Sequence, residues 1–366
     1  MKNFFSEHPF LAVTFTSCMT IIVLGFLTFA LFVLLAVKSV GSISSSDSDY
    51  DPSGKIAYKT VAGNKDSENK ILSIPIKGVI LTSEDELDTF SFFSYGFTYG
   101  YQIKDQISQA STDDSIKGII LEIDSPGGTI SGSKAIYDGV RYYRDITGKP
   151  VVAHISGMGA SGAYLAALPA SEIISDYGSL TGSIGVIMGP FKYYDTVVSE
   201  GNFLNSVTTT NGIESYYLTA GVDKDFGDPY KKLSEKARLT LQTDLDNEYK
   251  NFVDLVIENR SIEREKIVVE IGALVYDNSQ ALQLKLVDKI RNRQDAYAQV
   301  ADLAAVSRDD FKVVKQKNTD FWSTFLSALA PTNQLAQVTQ KNCFLCGEML
   351  YIYGTPESYG LINAQE

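Results

Sequence analysis

Histidine and cysteine are scarce in this chain of 366 residues, which contains two histidines and three cysteines. Cys343 and Cys346 form a Cys-x-x-Cys pair with no further histidine or cysteine close by in the sequence. A zinc site needs two more such ligands, so a local disulfide or a pair without function is favoured over a metal or redox role. We expect no bound metal and no cofactor.

Basic residues are also outnumbered, since 32 lysines and arginines face 44 aspartates and glutamates and the formal net charge is -12. A surplus of negative charge disfavours a polyanionic partner. No glycine-rich phosphate loop and no internal repeat is present in the sequence. We therefore expect no nucleic-acid partner.

Formal charge is absent from the 29 residues between Pro9 and Val37. As a helix, such a run is about 43 Å long, more than the roughly 30 Å hydrocarbon core of a bilayer. The pattern predicts a short tail over residues 1–9 and a transmembrane anchor over 10–37. A cleavable signal peptide is the alternative, but its apolar region is shorter, about 7 to 15 residues. Lysines on both sides of the run leave the orientation undecided.

The anchor is followed by a polar, acidic stretch rich in serine, glycine and proline, which indicates a linker over residues 38–70. Beyond it, strand-like apolar runs at 71–80, 118–123, 150–155 and 184–188 alternate with helical patterns at 132–146 and 234–257. This alternation predicts an α/β domain with a mostly parallel sheet. We assign the domain to residues 71–307 and a C-terminal extension to 308–366.

Two short motifs follow adjacent predicted strands. Ser156-Gly-Met-Gly-Ala-Ser161-Gly-Ala-Tyr164 places Ser161 between small residues at a predicted strand-to-helix turn, where backbone N–H groups favour negative charge. Ser125-Pro-Gly-Gly128 offers two adjacent glycines whose amides can approach a substrate carbonyl. Together they indicate a nucleophile and an oxyanion hole at one edge of the sheet.

A serine nucleophile needs a base, and the two histidines offer little choice. His8 precedes the apolar run, and His154 lies within a strand pattern, where a buried core histidine is the favoured interpretation. A Ser-His-Asp triad would thus depend on one poorly placed residue. Lysine is the other common activator of serine.

Five motifs occur in a characteristic order between residues 71 and 300. In addition to the two above, they are Leu180-Thr-Gly-Ser-Ile-Gly-Val-Ile187, Ala220-Gly-Val-Asp-Lys224-Asp225 and a segment from Val275 to Asp288. In this order the chain resembles the bacterial signal peptide peptidase (SppA-like) family, membrane-anchored serine/lysine proteases of the Clp protease and crotonase superfamily. The resemblance implies a Clp protease/crotonase-like α/β fold preceded by a single transmembrane helix.

The same resemblance implies roles for individual residues. Ser161 corresponds to the nucleophile, Lys224 to the general base, Gly128 to an oxyanion-hole donor and Ser183 to a residue that orients the lysine amine. By its neighbours alone, Lys224 is typical of a solvated loop lysine. As a base it needs burial, because a free lysine has a pKa of about 10.4 and is almost wholly protonated at neutral pH.

The function implied is a membrane-bound serine endopeptidase that cuts apolar or membrane-associated peptides, such as remnant signal peptides, within a ring of identical subunits. Its location would be the bacterial inner membrane, with a single span and an extracytoplasmic catalytic domain. Two alternatives remain at this point: an acyl-CoA enzyme of the crotonase type, and an inactive membrane scaffold with the same fold.

Overall fold

The computed structural model of the chain describes residues 57–83, 96–189, 199–201, 206–208, 222–224, 231–316 and 350–352. The predicted tail and anchor, residues 1–9 and 10–37, lie outside these ranges. Within them, no helix combines the length and the apolar character needed to cross a membrane.

Fifteen strands are assigned in the described ranges. In chain order they are β1 (Tyr58–Gly63), β2 (Lys70–Lys77), β3 (Val79–Leu81), β4 (Phe97–Tyr99), β5 (Ile116–Ser125), β6 (Gly127–Thr129), β7 (Val151–Ala160), β8 (Glu172–Ser175), β9 (Leu180–Gly182), β10 (Ser199–Gly201), β11 (Ser206–Thr208), β12 (Val275–Asp277), β13 (Lys289–Ile290), β14 (Lys312–Gln316) and β15 (Leu350–Ile352).

The helices are α1 (Gly100–Ala110), α2 (Ile130–Thr147), α3 (Gly162–Ala167), α4 (Glu235–Arg260), a π-helix (Lys266–Ile271), α5 (Asn278–Gln283) and α6 (Arg293–Leu303). Two of them match the predicted helical patterns closely. Thr129 Oγ1 accepts the amide of Gly132 at the start of α2, and Ser234 Oγ accepts the amide of Ala237 at the start of α4. Such caps satisfy backbone donors that the first helical turn leaves free.

The main sheet is mostly parallel, as predicted. Its strand order is β1-β14-β2-β5-β7-β8-β13, and β9 pairs with both β7 and β12. Within it, β14, β2, β5, β7, β8 and β13 run parallel to their neighbours, whereas β1 and β12 are antiparallel. A smaller sheet has the order β15-β6-β3-β4, and β10 pairs with β11. Parallel neighbours bring the carboxyl ends of β5 and β7 to one edge.

Side chains alternate between the two faces of the main sheet. One face packs in a large cluster with residues of α2, α3 and α4, and includes Leu121, Ala153 and Ile155. The opposite face carries Ile120 and Val152 and packs against Val300 of α6. We call these the α3 face and the α6 face. Both are deeply buried, which is why the parallel strands read as continuous apolar runs.

The predicted strand at Ile184–Met188 is wrong. The strand in this part of the chain is β9, which ends at Gly182, and Ser183 then adopts a positive φ of 54° that turns the chain away from extended geometry. Ile184 is fully buried without belonging to a strand. Burial of Ile184 and packing of the partly buried Val186 against the core account for part of the apolar run, because an apolar segment can contact a core without pairing in a sheet.

The sheet extends beyond residues 71–307. The strand β1 lies within the range that the composition assigns to the linker, and β14 lies within the range assigned to the C-terminal extension. These two strands pair with each other, and β14 also pairs with β2. Part of each flanking segment thus completes the main sheet.

Candidate active site

Ser161 lies at the turn between β7 and α3, as predicted. It is 1% exposed. Its backbone has φ 52° and ψ -117°, a combination that non-glycine residues rarely adopt. The amide of Ser161 donates to the carbonyl of Gly182 at 2.8 Å, and its carbonyl accepts the amide of Leu165 at 2.9 Å. The surrounding backbone thus holds a strained residue in place, which is a frequent property of functional sites.

The hydroxyl of Ser161 is weakly engaged. Its hydrogen bond goes to the carbonyl of Gly185 and has a length of 3.4 Å, at the long end for an O–H donor. A buried hydroxyl with one long hydrogen bond can exchange that bond for a stronger partner at little cost. The hydroxyl is therefore available for reaction with a bound substrate.

Gly128 lies in β6, beside the same edge of the sheet. A Cβ atom at this position would be 1.9 Å from the carbonyl oxygen of Ile80, so the backbone contact excludes any side chain. Gly127, the preceding residue, has a φ of 103° and donates its amide to Ser125 Oγ at 3.1 Å. In the sheet, Ser125 pairs with Gly159, two residues before Ser161. The two motifs are therefore neighbours in space, as their strands predicted.

Asp124 ties these motifs together, a role that the sequence alone did not reveal. Its Oδ1 accepts the amide of Met158 at 3.1 Å. A Cβ on Gly157 would lie 2.4 Å from the same carboxylate oxygen, so glycine is required for this approach. The carboxylate at the end of β5 thereby fixes the backbone that leads into Ser161.

Ser183 is close to Ser161 through the pairing of β7 with β9. Ala160 and Gly182 are register partners, and each is followed directly by one of the two serines. Ser183 is 6% exposed, and its amide donates to the carbonyl of Leu274 at 2.6 Å. The structure thus positions both serines at one junction.

Lys224 is not joined to this junction in the described structure. It ends a three-residue turn, 222–224, in which Asp223 has a φ of 61°, and its side chain is exposed. The hydrogen bond of Ser161 goes to Gly185 and not to Lys224. The described structure therefore brings Ser161 close to the strand β6, while the side chain of Lys224, the candidate base, is exposed to solvent.

His154 belongs to the opposite, α6 face of the sheet, where strand alternation places it with Val152. It is fully buried. Its Nε2 lies 3.4 Å from Asp176 Oδ2 and 3.3 Å from the carbonyl oxygen of Arg291. Burial lowers the pKa of His154, and the negative charge of Asp176 offsets this in part. The interpretation of His154 as a buried core residue is confirmed.

Glu122 is the register partner of His154 and shares its face. One carboxylate oxygen accepts the hydroxyl of Tyr297, and the other accepts Lys315 Nζ at 2.9 Å. Burial alone would raise the pKa of Glu122, but these hydrogen bonds outweigh it and hold the pKa below its usual value.

Two family models match this chain. The model of peptidase family S49 matches residues 144–307, and the Clp protease model matches residues 98–173. The two matches together include Ser161, Ser183, Gly128 and Lys224. Fold and sequence thus define a Clp protease-like α/β domain.

Several relatives have protease names. A provisionally named protease of Methanocaldococcus jannaschii is 32% identical over 199 residues, which is 54% of this chain and 60% of that protein. Protease 4 of Salmonella typhi is 32% identical over 203 residues, 56% of this chain and 31% of that protein. A provisionally named signal peptide peptidase of Enterococcus faecium is 26% identical over 294 residues, 80% of each chain. Residues 144–307 thus match peptidase family S49, and the chain is similar to SppA-like peptidases.

The share of each relative that is covered varies widely. The alignments span 60% of the archaeal protein and 31% of the Salmonella protein. Among solved structures, ClpP1 of Listeria monocytogenes aligns with a TM-score of 0.37 at 14% identity, covering 61% of this chain and 93% of that one. The fold assignment therefore depends on the family matches and on the sheet topology described above.

Proposed function

We propose that this chain is a membrane-anchored serine endopeptidase that hydrolyses peptides through an acyl-enzyme formed on Ser161. The observation that carries the proposal is the placement of this serine. It is buried, strained, weakly hydrogen-bonded and close to the strand β6, in which Gly128 has no room for a side chain. Nucleophile and oxyanion donor are the two elements that acyl transfer needs first.

The proposed reaction proceeds in two stages. Ser161 Oγ attacks the peptide carbonyl while the amine of Lys224 takes its proton, and the amide of Gly128 donates to the resulting oxyanion. The protonated lysine returns its proton to the leaving amine, and an ester remains on Ser161. Water then attacks the ester with the same lysine as base. Ser183 would orient the lysine amine.

The exposure of Lys224 sets a condition on this mechanism. An ammonium group in contact with water stays protonated at neutral pH, and a lysine acts as a base when burial disfavours its charge. The turn at 222–224 must therefore be covered in the active state. Assembly of identical subunits into a ring would cover it, and we propose such a homo-oligomer.

The proposed substrates are apolar or membrane-associated peptides, such as remnant signal peptides, and the proposed location is the bacterial cell membrane. Two observations support this: the charge-free run within residues 10–37 and the name of the Enterococcus faecium relative. A single span with the N-terminus in the cytoplasm would place the catalytic domain outside it. Extraction of membranes with alkaline carbonate should leave the full chain in the pellet.

A fluorophosphonate probe tests the nucleophile directly. The probe should label the full chain at Ser161, and Ser161→Ala should lose both labelling and casein hydrolysis while keeping its thermal stability, because a single hydroxyl is removed. Ser156→Ala is the matched control, since Ser156 is an exposed serine of the same motif and donates to the carbonyl of Ile123 at 3.2 Å.

Two results would contradict the proposal. Undiminished hydrolysis by Ser161→Ala would assign the activity to another residue. Absence of labelling in the wild-type chain would instead favour a scaffold or an acyl-CoA enzyme with the same fold.

A further inference from the structure

The strand β7 changes its partner along its length. Residues 152–155 pair with β8, whereas residues 158–160 pair with β9. The change brings Ser161, which directly follows β7, beside the end of β9, where its amide donates to the carbonyl of Gly182 at 2.8 Å. The position of the candidate nucleophile therefore depends on where and how β7 leaves β8.

A bulge in β7 lies at the point of this change. The two-residue step from Ile123 to Ser125 in β5 is matched by a four-residue step from Ile155 to Gly159 in β7. A bulge bends its strand, and bulges are frequent next to active sites, where they re-aim a side chain. This one directs the end of β7 away from β8 and toward β9.

Asp124 is the single residue of β5 that faces the bulge, and its side chain bonds to it. The Oδ1 atom of Asp124 accepts the amide of Met158 at 3.1 Å. A Cβ atom on Gly157 would lie 2.4 Å from this Oδ1, and the three atoms nearest to that Cβ all belong to the Asp124 carboxyl group. Gly157 does not have a positive φ. Glycine is therefore required at position 157 for the close approach of the carboxylate and not for backbone strain.

We propose that Asp124 is a positioning residue for the reaction of Ser161, because its carboxylate holds the bulge that aims the end of β7. Asp124 acts on the serine through the backbone of residues 158–160. This inference rests on the proposed function for the reaction itself, whereas the bond between Met158 and Asp124 can be measured in an inactive protein.

The reaction rate should depend on this bond more than the stability of the fold does. Asp124 is exposed, and one hydrogen bond contributes a modest net free energy to folding. A displacement of about 1 Å at a reacting group, in contrast, can lower a rate about 100-fold. Two residues separate Met158 from Ser161, whose rare backbone conformation persists only because its surroundings hold it.

Substitutions of Asp124 in the full chain are the first test. Asp124→Ala should lower both kcat for a peptide substrate and the rate of fluorophosphonate labelling about 10- to 100-fold, with KM changed by less than about twofold. Asp124→Asn keeps an acceptor oxygen and should stay within about threefold of the wild-type rates. Asp145→Ala is the matched control, since the Asp145 side chain is 69% exposed near the end of α2. Wild-type rates in Asp124→Ala would overturn the proposal, and so would rates in Asp124→Asn as low as those in Asp124→Ala.

Gly157→Ala tests the same contact from β7. The added methyl group should displace the carboxylate from the Met158 amide, so this variant should react about as slowly as Asp124→Ala. Since the contact is already lost in each single variant, the double variant Asp124→Ala/Gly157→Ala should be no slower than either one. If the two losses multiply in the double variant, the substitutions act independently and the proposal is wrong.

Hydrogen exchange follows the bond without any activity. In Ser161→Ala protein, the Met158 amide should exchange faster when Asp124→Ala is added, and its exchange should change little with Asp124→Asn. Equal exchange in all three proteins would contradict the proposed contact. Failure of the inference and failure of the proposed function are distinguishable by labelling. Equally fast labelling of the wild-type chain and Asp124→Ala overturns this inference alone, whereas an unlabelled wild-type chain overturns the proposed function as well.

Discussion

Buried polar groups on the two sides of the main sheet differ in their hydrogen bonding. On the α6 face, both carboxylate oxygens of Glu122 accept hydrogen bonds, whereas the fully buried ring of His154 has a hydrogen-bond partner at Nε2 and none at Nδ1. On the edge beside the α3 face, Ser161 is equally buried but has one long hydrogen bond and a strained backbone. Satisfied polar groups stabilise a fold, whereas a weakly engaged hydroxyl under strain remains available for chemistry.

This contrast argues against His154 as the base. His154 and Ser161 belong to the same stretch of chain, but strand alternation assigns His154 to the α6 face, with Asp176 and Arg291 as its neighbours. The residues that follow Ser161 in α3 pack on the other side. A proton transfer between the two residues would have to cross the sheet.

The largest expected effect concerns the candidate base. Lys224→Arg keeps the positive charge but supplies no base at any usable pH, so kcat/KM should fall by about 10² to 10⁴. Lys236→Arg, at an exposed lysine in α4, is the matched control and should retain activity. Steady-state hydrolysis of a peptide substrate measures both. If Lys224→Arg kept full activity and His154→Gln lost it, Lys224 would not be the base, and His154 on the α6 face would become the candidate.

Gly128→Ala should cause the second-largest loss of activity. The added methyl group would collide with the Ile80 carbonyl at 1.9 Å and displace β6, so the oxyanion donor would move. Loss of one such donor lowers kcat by about 10² to 10³.

Gly148→Asn offers a control for the glycine substitution. This glycine also has a special backbone, with φ 67° at the end of α2, but has open space around its Cβ position. Asparagine tolerates that geometry, so activity should persist. Comparable kcat values in Gly128→Ala and the wild-type chain would exclude Gly128 as a donor.

Tyr297→Phe should affect stability and not activity. It removes the hydroxyl that donates to buried Glu122 and leaves a carboxylate oxygen without that partner, at a cost of about 1–3 kcal/mol. Urea denaturation and fluorophosphonate labelling measure the two properties. Tyr177→Phe, at a tyrosine that is 69% exposed, is the control. A labelling rate that falls with Tyr297→Phe would show that the two faces are coupled.

His154→Gln should have the smallest effect, visible as a change in pH dependence. Because burial lowers the pKa of His154, the unfolded chain takes up a proton below about pH 6.5 that the folded chain does not. Wild-type stability should therefore decrease as the pH falls from about 6.5 to 5.5, by at most about 1.4 kcal/mol from this group. The variant should lack this component, while Glu122, Asp176 and Arg293 contribute equally to both proteins.

Denaturation midpoints at several pH values measure this difference. Parallel curves for the wild-type chain and His154→Gln would mean that the ring takes up its proton equally in the folded and unfolded states.

Sequence reasoning predicted those parts of the fold that depend on local pattern. The strands β5 and β7, the helices α2 and α4 and the adjacency of the two glycine-containing turns are confirmed. The strands β1 and β14 were not recognised, because their partners are more than 200 residues apart in the chain and their short, alternating patterns resemble polar loops.

The candidate site also contains residues that the sequence predicted and residues whose role only the structure showed. Motif order and small residues predicted Ser161 and Gly128, and the structure brings their strands together. Nothing in the sequence pattern distinguished the role of Asp124, whose contact with the Met158 amide exists only once β5 and β7 are paired. The proposed role of Lys224 stays a prediction, since its exposed turn shows no contact with Ser161.

By itself, the amino-acid sequence determined the class of fold, the order of the motifs and the chemical groups available, because these follow from periodicity, turn residues and composition. The tertiary structure decided which groups share a face of the sheet, which serine is buried and strained, and what lies along β6. The physical reason is that burial, pairing and steric exclusion arise between segments distant in sequence. Residues 128 and 351 become neighbours only when the strands that contain them pair.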